Sequence, residues 1–293
     1  MRPGALVALL LVFLPRSAAA QTAVDPASLM TTPVLLVNGT RQVSQGTGFF
    51  FASTDARGEP ATVFLVTNYH VITGHAPMTN RPPTGDRIRF SLHENPDDLS
   101  KNRIIELPLY DSDDRPVWVA SEALPEADVV LVPLPPNVYE GVRMFVFTEA
   151  HTRGDIKIRP TSGATLLGYP YGFYDTVNRL PVWKTGHVAS EPSVDFENKP
   201  VFIVDVSAFP GMSGSPVLAV ANGIYESEDG VMRSGRVLKL LGIFSAMPVV
   251  KDSRMDTASS DAVDRRPTVS LQLGYVWKAG LVADLARGYR PRR

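Results

Sequence analysis

The sequence predicts an all-β protein built as two successive halves and closed by one C-terminal helix. Three observations carry this: short apolar, β-branched runs recur along the chain, Gly, Pro, Asn and Asp separate them, and helical spacing appears mainly at the end. In the first half the runs are Pro33–Val37, Gly48–Ala52, Val63–Thr67, Arg87–Leu92, Arg103–Leu107, Val117–Ala120 and Val129–Leu134. The proline-rich stretch that begins at Pro133 and runs to Pro160 then connects the halves. The second half repeats the pattern with Thr165–Tyr169, Val182–Ser190, Val201–Val206, Pro216–Val220, Val237–Ala246 and Thr268–Leu273. Near the end, Leu281, Val282 and Leu285 share one helical face that can dock on the sheets. Gly74–Asp86 and Gly223–Gly235 have no core pattern and read as surface insertions, and Lys251–Arg266 reads as a polar loop.

Composition narrows the class. Arg2, the apolar run Ala5–Leu14 and Ala18-Ala19-Ala20 make residues 1–20 a secretory signal peptide, too short in its core to remain as a membrane anchor. The expected location is therefore outside the cytoplasm, periplasmic or extracellular. With no cysteine in the chain, such an exported protein relies on its core alone, and residues 21–293 suffice to bury roughly three quarters of their extended surface. The formal charge of −1 comes without a basic patch, which gives nucleic acid no support as a partner. No His-Glu-x-x-His or Cys/His cluster exists, so neither a metal nor any organic cofactor is implied.

The chemistry is concentrated at Ala208–Leu218, where Ser213 stands in a glycine-rich turn before an apolar strand. Glycine lets the main chain bend so that N–H groups converge, exposing a hydroxyl for attack and supplying donors for the charge that attack creates. The same residues also make ordinary turns at the start of a strand. A nucleophilic serine needs a base and a carboxylate to orient it. All five histidines (His70, His75, His93, His151 and His187) precede Ser213, which disfavours the serine-before-histidine order of α/β-hydrolases. His70 ends the apolar run from Val63 and is the strongest candidate base; His75 and His93 lie in loop-like sequence. Asp128 opens the apolar run Val129–Val132, where a charge is costly to bury unless paired, and is the candidate acid.

Five stretches, in order, resemble the trypsin-like (chymotrypsin-fold) serine proteases, most closely the cysteine-free bacterial branch that includes Deg/HtrA proteases and glutamyl endopeptidases. They are Gln45–Phe50, Val66–Val71, Asp128–Leu134, Leu167–Gly172 with Thr185–Ser190, and Asp205–Gly214. Leu240–Ala246 further resembles the strand that walls the primary specificity pocket, and Leu273–Ala286 the last strand and closing helix. The resemblance implies two six-stranded antiparallel β-barrels, about 33–134 and 160–275, with a closing helix at about 277–286. It implies a cleft between them in which His70 and Asp128 face Ser213.

Backbone N–H groups of Gly211 and Ser213 would form the oxyanion hole. Ser207, Ala208, Phe244, Ser245, Ala246 and Met247 would line the substrate pocket. With no acid at Ser207, the expected preference is for small or medium apolar residues before the cut bond of a peptide or protein substrate. Met212 stands where zymogen-activated relatives carry an aspartate, so activation by an ion pair to a freed N-terminus is unavailable. The competing expectation is a catalytically silent or partner-activated binding protein of the same fold.

Overall fold

A computed structural model describes residues 24–54, 60–251 and 268–291. The signal-peptide expectation and most of the Lys251–Arg266 loop fall outside these residues. The chain opens with a single turn, α1 (Pro26–Leu29), held by Asp25 accepting from the Ala27 N–H. Seven strands and two short helices follow: β1 (Thr31–Asn38), β2 (Arg41–Thr54), β3 (Pro60–Thr67), α2 (Tyr69–Thr73), β4 (Arg87–His93), β5 (Asn102–Pro108), β6 (Val130–Pro133), β7 (Phe147–Thr148) and α3 (Glu149–Thr152). The second half contains β8 (Gly163–Gly168), β9 (Val182–Val188), β10 (Val201–Asp205), β11 (Pro216–Glu226), β12 (Met232–Phe244), β13 (Val249–Lys251), β14 (Thr268–Ser270), β15 (Leu273–Lys278) and α4 (Ala279–Gly288).

The first half forms a sheet in the order β5-β4-β1-β2-β3-β6, antiparallel throughout, with the short β7 added in parallel beside β2. The second closes into a six-stranded barrel, β10-β15-β12-β11-β8-β9. This is the all-β, chymotrypsin-like architecture with a closing helix that the resemblance implies. Alternation along the strands sorts side chains to either face. Val34, Leu36, Phe50, Leu65, Ile88 and Phe90 fill the first half, and Leu166, Phe202, Val204, Val217 and Phe244 the second. A third cluster joins them: Phe49, Phe51, Phe64 and Phe147 from the first half meet Leu218, Leu240 and Ile243 from the second and Val282 from α4. The C-terminal Tyr289 meets Phe64 of β3 edge-on, with ring centroids 5.3 Å apart.

Three elements differ from expectation. Val117–Ala120 is not a strand; it contributes one bridge, Val119 to Leu131, because Pro116 and the polar residues after Ala120 leave nothing to extend the pairing. Gly223–Gly235, expected as a surface insertion, is largely exposed but regular: it is the tip of a long hairpin in which β11 and β12 pair out to Glu226 and Met232. That ribbon projects beyond the barrel and has no core face, so no apolar alternation marks it. In α4 the buried face is Ala279, Val282, Ala283 and Ala286, while Leu281 and Leu285 pack at its margin. None of the described helices is long and apolar enough to cross a membrane.

Candidate active site

His70 sits in the one-turn helix α2, which β3 delivers at the edge of the first sheet. β3 pairs with β6 so that Thr67 lies opposite Val130, two residues after Asp128. That register brings the two candidate groups together across a sequence separation of 58. His70 Nδ1 lies 2.6 Å from Asp128 Oδ2, and the His70 backbone N–H donates to Asp128 Oδ1 at 3.0 Å. Asn68 Nδ2 donates to the Asp128 backbone carbonyl at 2.6 Å, tying down the acid's own main chain.

The Asp128 side chain is 10% exposed, against 32% for His70, so the acid is sequestered while the imidazole reaches solvent. Burial pushes the Asp128 pKa up. The hydrogen bond and charge of His70, the Ser245 hydroxyl and the His70 N–H together outweigh that and hold the pKa below the ordinary aspartate value. An isolated buried carboxylate would be expensive; this one accepts three hydrogen bonds.

The nucleophile candidate lies on the other side. Gly211 has φ 95° and Gly214 φ 87°, a region that disfavours any side chain, and both are closed in by backbone. A Cβ on Gly211 would stand 2.5 Å from the Tyr169 carbonyl, and one on Gly214 1.9 Å from the Thr47 carbonyl. Tyr171 N–H donates to the Pro210 carbonyl at 2.6 Å. Since a trans peptide aims its C=O and N–H in opposite directions, the Gly211 N–H points away from Tyr171. Neither Gly211 N–H nor Ser213 N–H has a hydrogen-bond partner among the described residues. Two free donors two residues apart can receive an anionic oxygen.

Met212, between them, is fully buried in the second-half cluster with Val206, Val217 and Phe244. An apolar anchor thus holds the loop from below.

Ser245 connects the two sides. Its hydroxyl donates to Asp128 Oδ2 at 2.5 Å, and its carbonyl accepts the Ser213 hydroxyl at 3.0 Å. No hydrogen bond joins Ser213 to the His70 ring among the described contacts; the hydroxyl rests on Ser245 instead. The reading of Ser245 as part of a pocket wall missed this link to the acid. Thr47 was also missed. Its N–H donates to the Ser213 carbonyl at 2.7 Å, its hydroxyl donates to the Gly211 carbonyl at 2.8 Å, and that hydroxyl accepts from Tyr169 N–H at 3.2 Å. The one local sign is a hydroxyl residue between Gly46 and Gly48.

The remaining pocket candidates are less uniform. Ser207 and Ala246 are exposed and Met247 half-buried, whereas Ala208 is buried in the second-half cluster. Phe244 does not stand in an open wall: it is 2% exposed, and its ring fills the space where a side chain on residue 274 would lie. The other histidines lie elsewhere. His93 bonds the Asn178 carbonyl, His151 accepts from Thr148 N–H at the start of α3, and His187 is exposed on β9. Among the described residues no group of three or more acidic or histidine side chains is placed to hold a metal.

The family description "trypsin-like peptidase domain" matches residues 46–224. No curated protein matches the sequence. Among solved structures, a serine endoprotease from Yersinia pestis is similar at 14% identity and TM-score 0.46, covering 90% of this chain and 65% of that one. This chain therefore spans just under two thirds of that protein. The inactive form of the M. tuberculosis protease Rv3671c is similar at 14% identity and TM-score 0.47, covering 97% of this chain and 100% of the other. Tobacco etch virus protease complexed with product gives 10% identity and TM-score 0.44, over 89% of this chain and 80% of that one.

Proposed function

Since this chain belongs to the trypsin-like peptidase family, we propose that it is a serine endopeptidase whose nucleophile is Ser213, with His70 as general base and Asp128 as orienting acid. The observation that carries the assignment is Ser245, bonded through its side chain to the acid and through its carbonyl to the nucleophile. In the proposed reaction the Ser213 hydroxyl exchanges that carbonyl for the outer nitrogen of His70 as its partner. Ser213 then attacks the peptide carbonyl, His70 takes the proton, and Asp128 stabilises the imidazolium that forms. The Gly211 and Ser213 N–H groups receive the oxyanion. His70 passes the proton to the leaving amine, and water completes hydrolysis of the acyl-enzyme by the same route.

For the residue before the cut bond, small or medium apolar side chains are the preferred class. The absence of an acidic residue among Ser207, Ala246 and Met247 supports this by disfavouring basic residues there. Export to the periplasm or beyond is proposed from the N-terminal apolar segment.

The direct test is labelling of the purified chain with a fluorophosphonate, beside Ser213→Ala. Labelling of the wild type alone is the expected result. A folded wild type that takes no label would overturn the assignment and favour a silent or partner-activated protein. A cleavage profile dominated by Lys, Arg or Glu before the cut would sink the specificity proposal while leaving the peptidase intact.

A further inference from the structure

A cavity of about 260 Å³ borders the supports of the nucleophile loop. Gly46 in its wall precedes Thr47, whose N–H holds the Ser213 carbonyl, and Gly172 follows Tyr171, whose N–H holds the Pro210 carbonyl. In the proposed reaction the residue before the cut bond lies against Ser245–Met247. On that reading the chain after the cut bond is assigned to the other side, toward β2 and the loop following Tyr169, whose residues line this cavity.

Its polar lining is one-sided. Among the described residues Arg89, Arg179, Gln42 and Gln45 contribute, and no carboxylate does. Arg89 is already committed, forking onto Glu106 at 3.1 and 2.8 Å. The guanidinium of Arg179 has neither a hydrogen bond nor an ion pair among the described residues, although the residue is only half-exposed. Asp175 forms no ion pair with it among the described residues; its carboxylate accepts instead from the Val177 and Asn178 N–H groups and from the Asn178 side chain. Arg179 is also held at φ 55°, a conformation unfavourable for a long side chain, with its carbonyl accepting from the Tyr169 hydroxyl at 3.3 Å. An unpaired, partly desolvated guanidinium beside neutral amides suits a carboxylate.

We infer that this cavity is a subsite for a carboxylate on the leaving-group side of the cut bond, with Arg179 supplying the charge and Gln45 a neutral donor. The inference rests on the peptidase reading and adds to it a substrate class: peptides acidic just after the cleavage position, or ending there in a free carboxylate.

The test uses peptides identical up to the cut and carrying Glu, Gln or Lys at each of the next three positions. A further pair ends at those positions in a free carboxylate or an amide. At one position Glu should exceed Lys in kcat/KM by about ten-fold, the value of one charge-assisted contact. The ratio should fall toward unity in Arg179→Gln, survive in part in Arg179→Lys, and shrink with added salt. A preference confined to the free-carboxylate peptide would identify the chain end as the recognised group. A flat profile, or a preference that persists in Arg179→Gln, overturns the inference.

Binding of the same peptides to the Ser213→Ala protein, read by fluorescence anisotropy, separates the two claims. Glu-selective, Arg179-dependent binding without any hydrolysis by the wild type keeps the subsite and removes the peptidase. Hydrolysis with no selectivity does the reverse.

Discussion

The two sides of the candidate cleft hold their groups by different physics. On the first-half side a buried carboxylate gathers the His70 ring, the His70 N–H and, from the second half, the Ser245 hydroxyl, while Asn68 holds the Asp128 main chain. Each contact is a hydrogen bond of defined chemistry. On the second-half side the loop is shaped by backbone: two left-handed glycines, a fixed peptide plane and the buried Met212. The first arrangement is sensitive to which atoms are present, the second to how much room they take. Substitutions can therefore be chosen that damage one side and spare the other.

The largest effect should come from changing chemistry without shape. Asp128→Asn keeps the volume but favours the wrong imidazole tautomer, and kcat should fall about 10⁴-fold while the thermal melt stays cooperative. Steady-state kinetics beside a melt will check it; an active Asn variant would remove Asp128 from the mechanism. Next is a change of shape alone. Gly211→Ala forces a Cβ against the Tyr169 carbonyl and displaces one oxyanion donor, so kcat should drop about 10²–10³-fold with little change in the His70–Asp128 contact. An NMR spectrum of the imidazole protons would report that contact independently.

Thr47→Val tests the staple between the two sides. The near-isosteric change leaves the Gly211 carbonyl and Tyr169 N–H without their partner, and stability in urea should fall by about 1–3 kcal/mol. If the midpoint does not move, Thr47 is not a staple.

The smallest effect is a pH dependence. Because the Asp128 pKa is held below its unfolded value, the ionised form contributes stability above the unfolded aspartate pKa of about 4. That contribution fades as pH falls below it toward the depressed folded value. Wild type should therefore lose stability relative to Asp128→Asn on acidification, and parallel melting curves would contradict this.

The sequence made the order of strands and the His70, Asp128 and Ser213 candidates legible because each lies at the end of an apolar run or in a glycine turn, and both are local signals. The link through Ser245 was not legible. It spans 117 residues, and nothing near Phe244-Ser245-Ala246 distinguishes a wall residue from one that reaches back to a carboxylate. Phe244 failed for a related reason: strand alternation assigns a residue to a face, but which face looks inward depends on Gly274 across the pairing. The long hairpin escaped because two strands that pair only with each other need no apolar side. Val117–Ala120 misled in the opposite direction, having strand-like residues but only one partner to meet.

The cluster that runs from Phe49 and Phe64 through Leu218 and Ile243 to Val282 has a mechanical consequence. The halves share apolar interior, and the last helix of the chain is braced against the first sheet. The cleft is thus a seam in one solid rather than a hinge between two. A chain without a single disulfide gains from such bracing, since opening the seam would expose large aromatic rings to water. Cutting the connection between the halves should leave two fragments that stay together and melt as one.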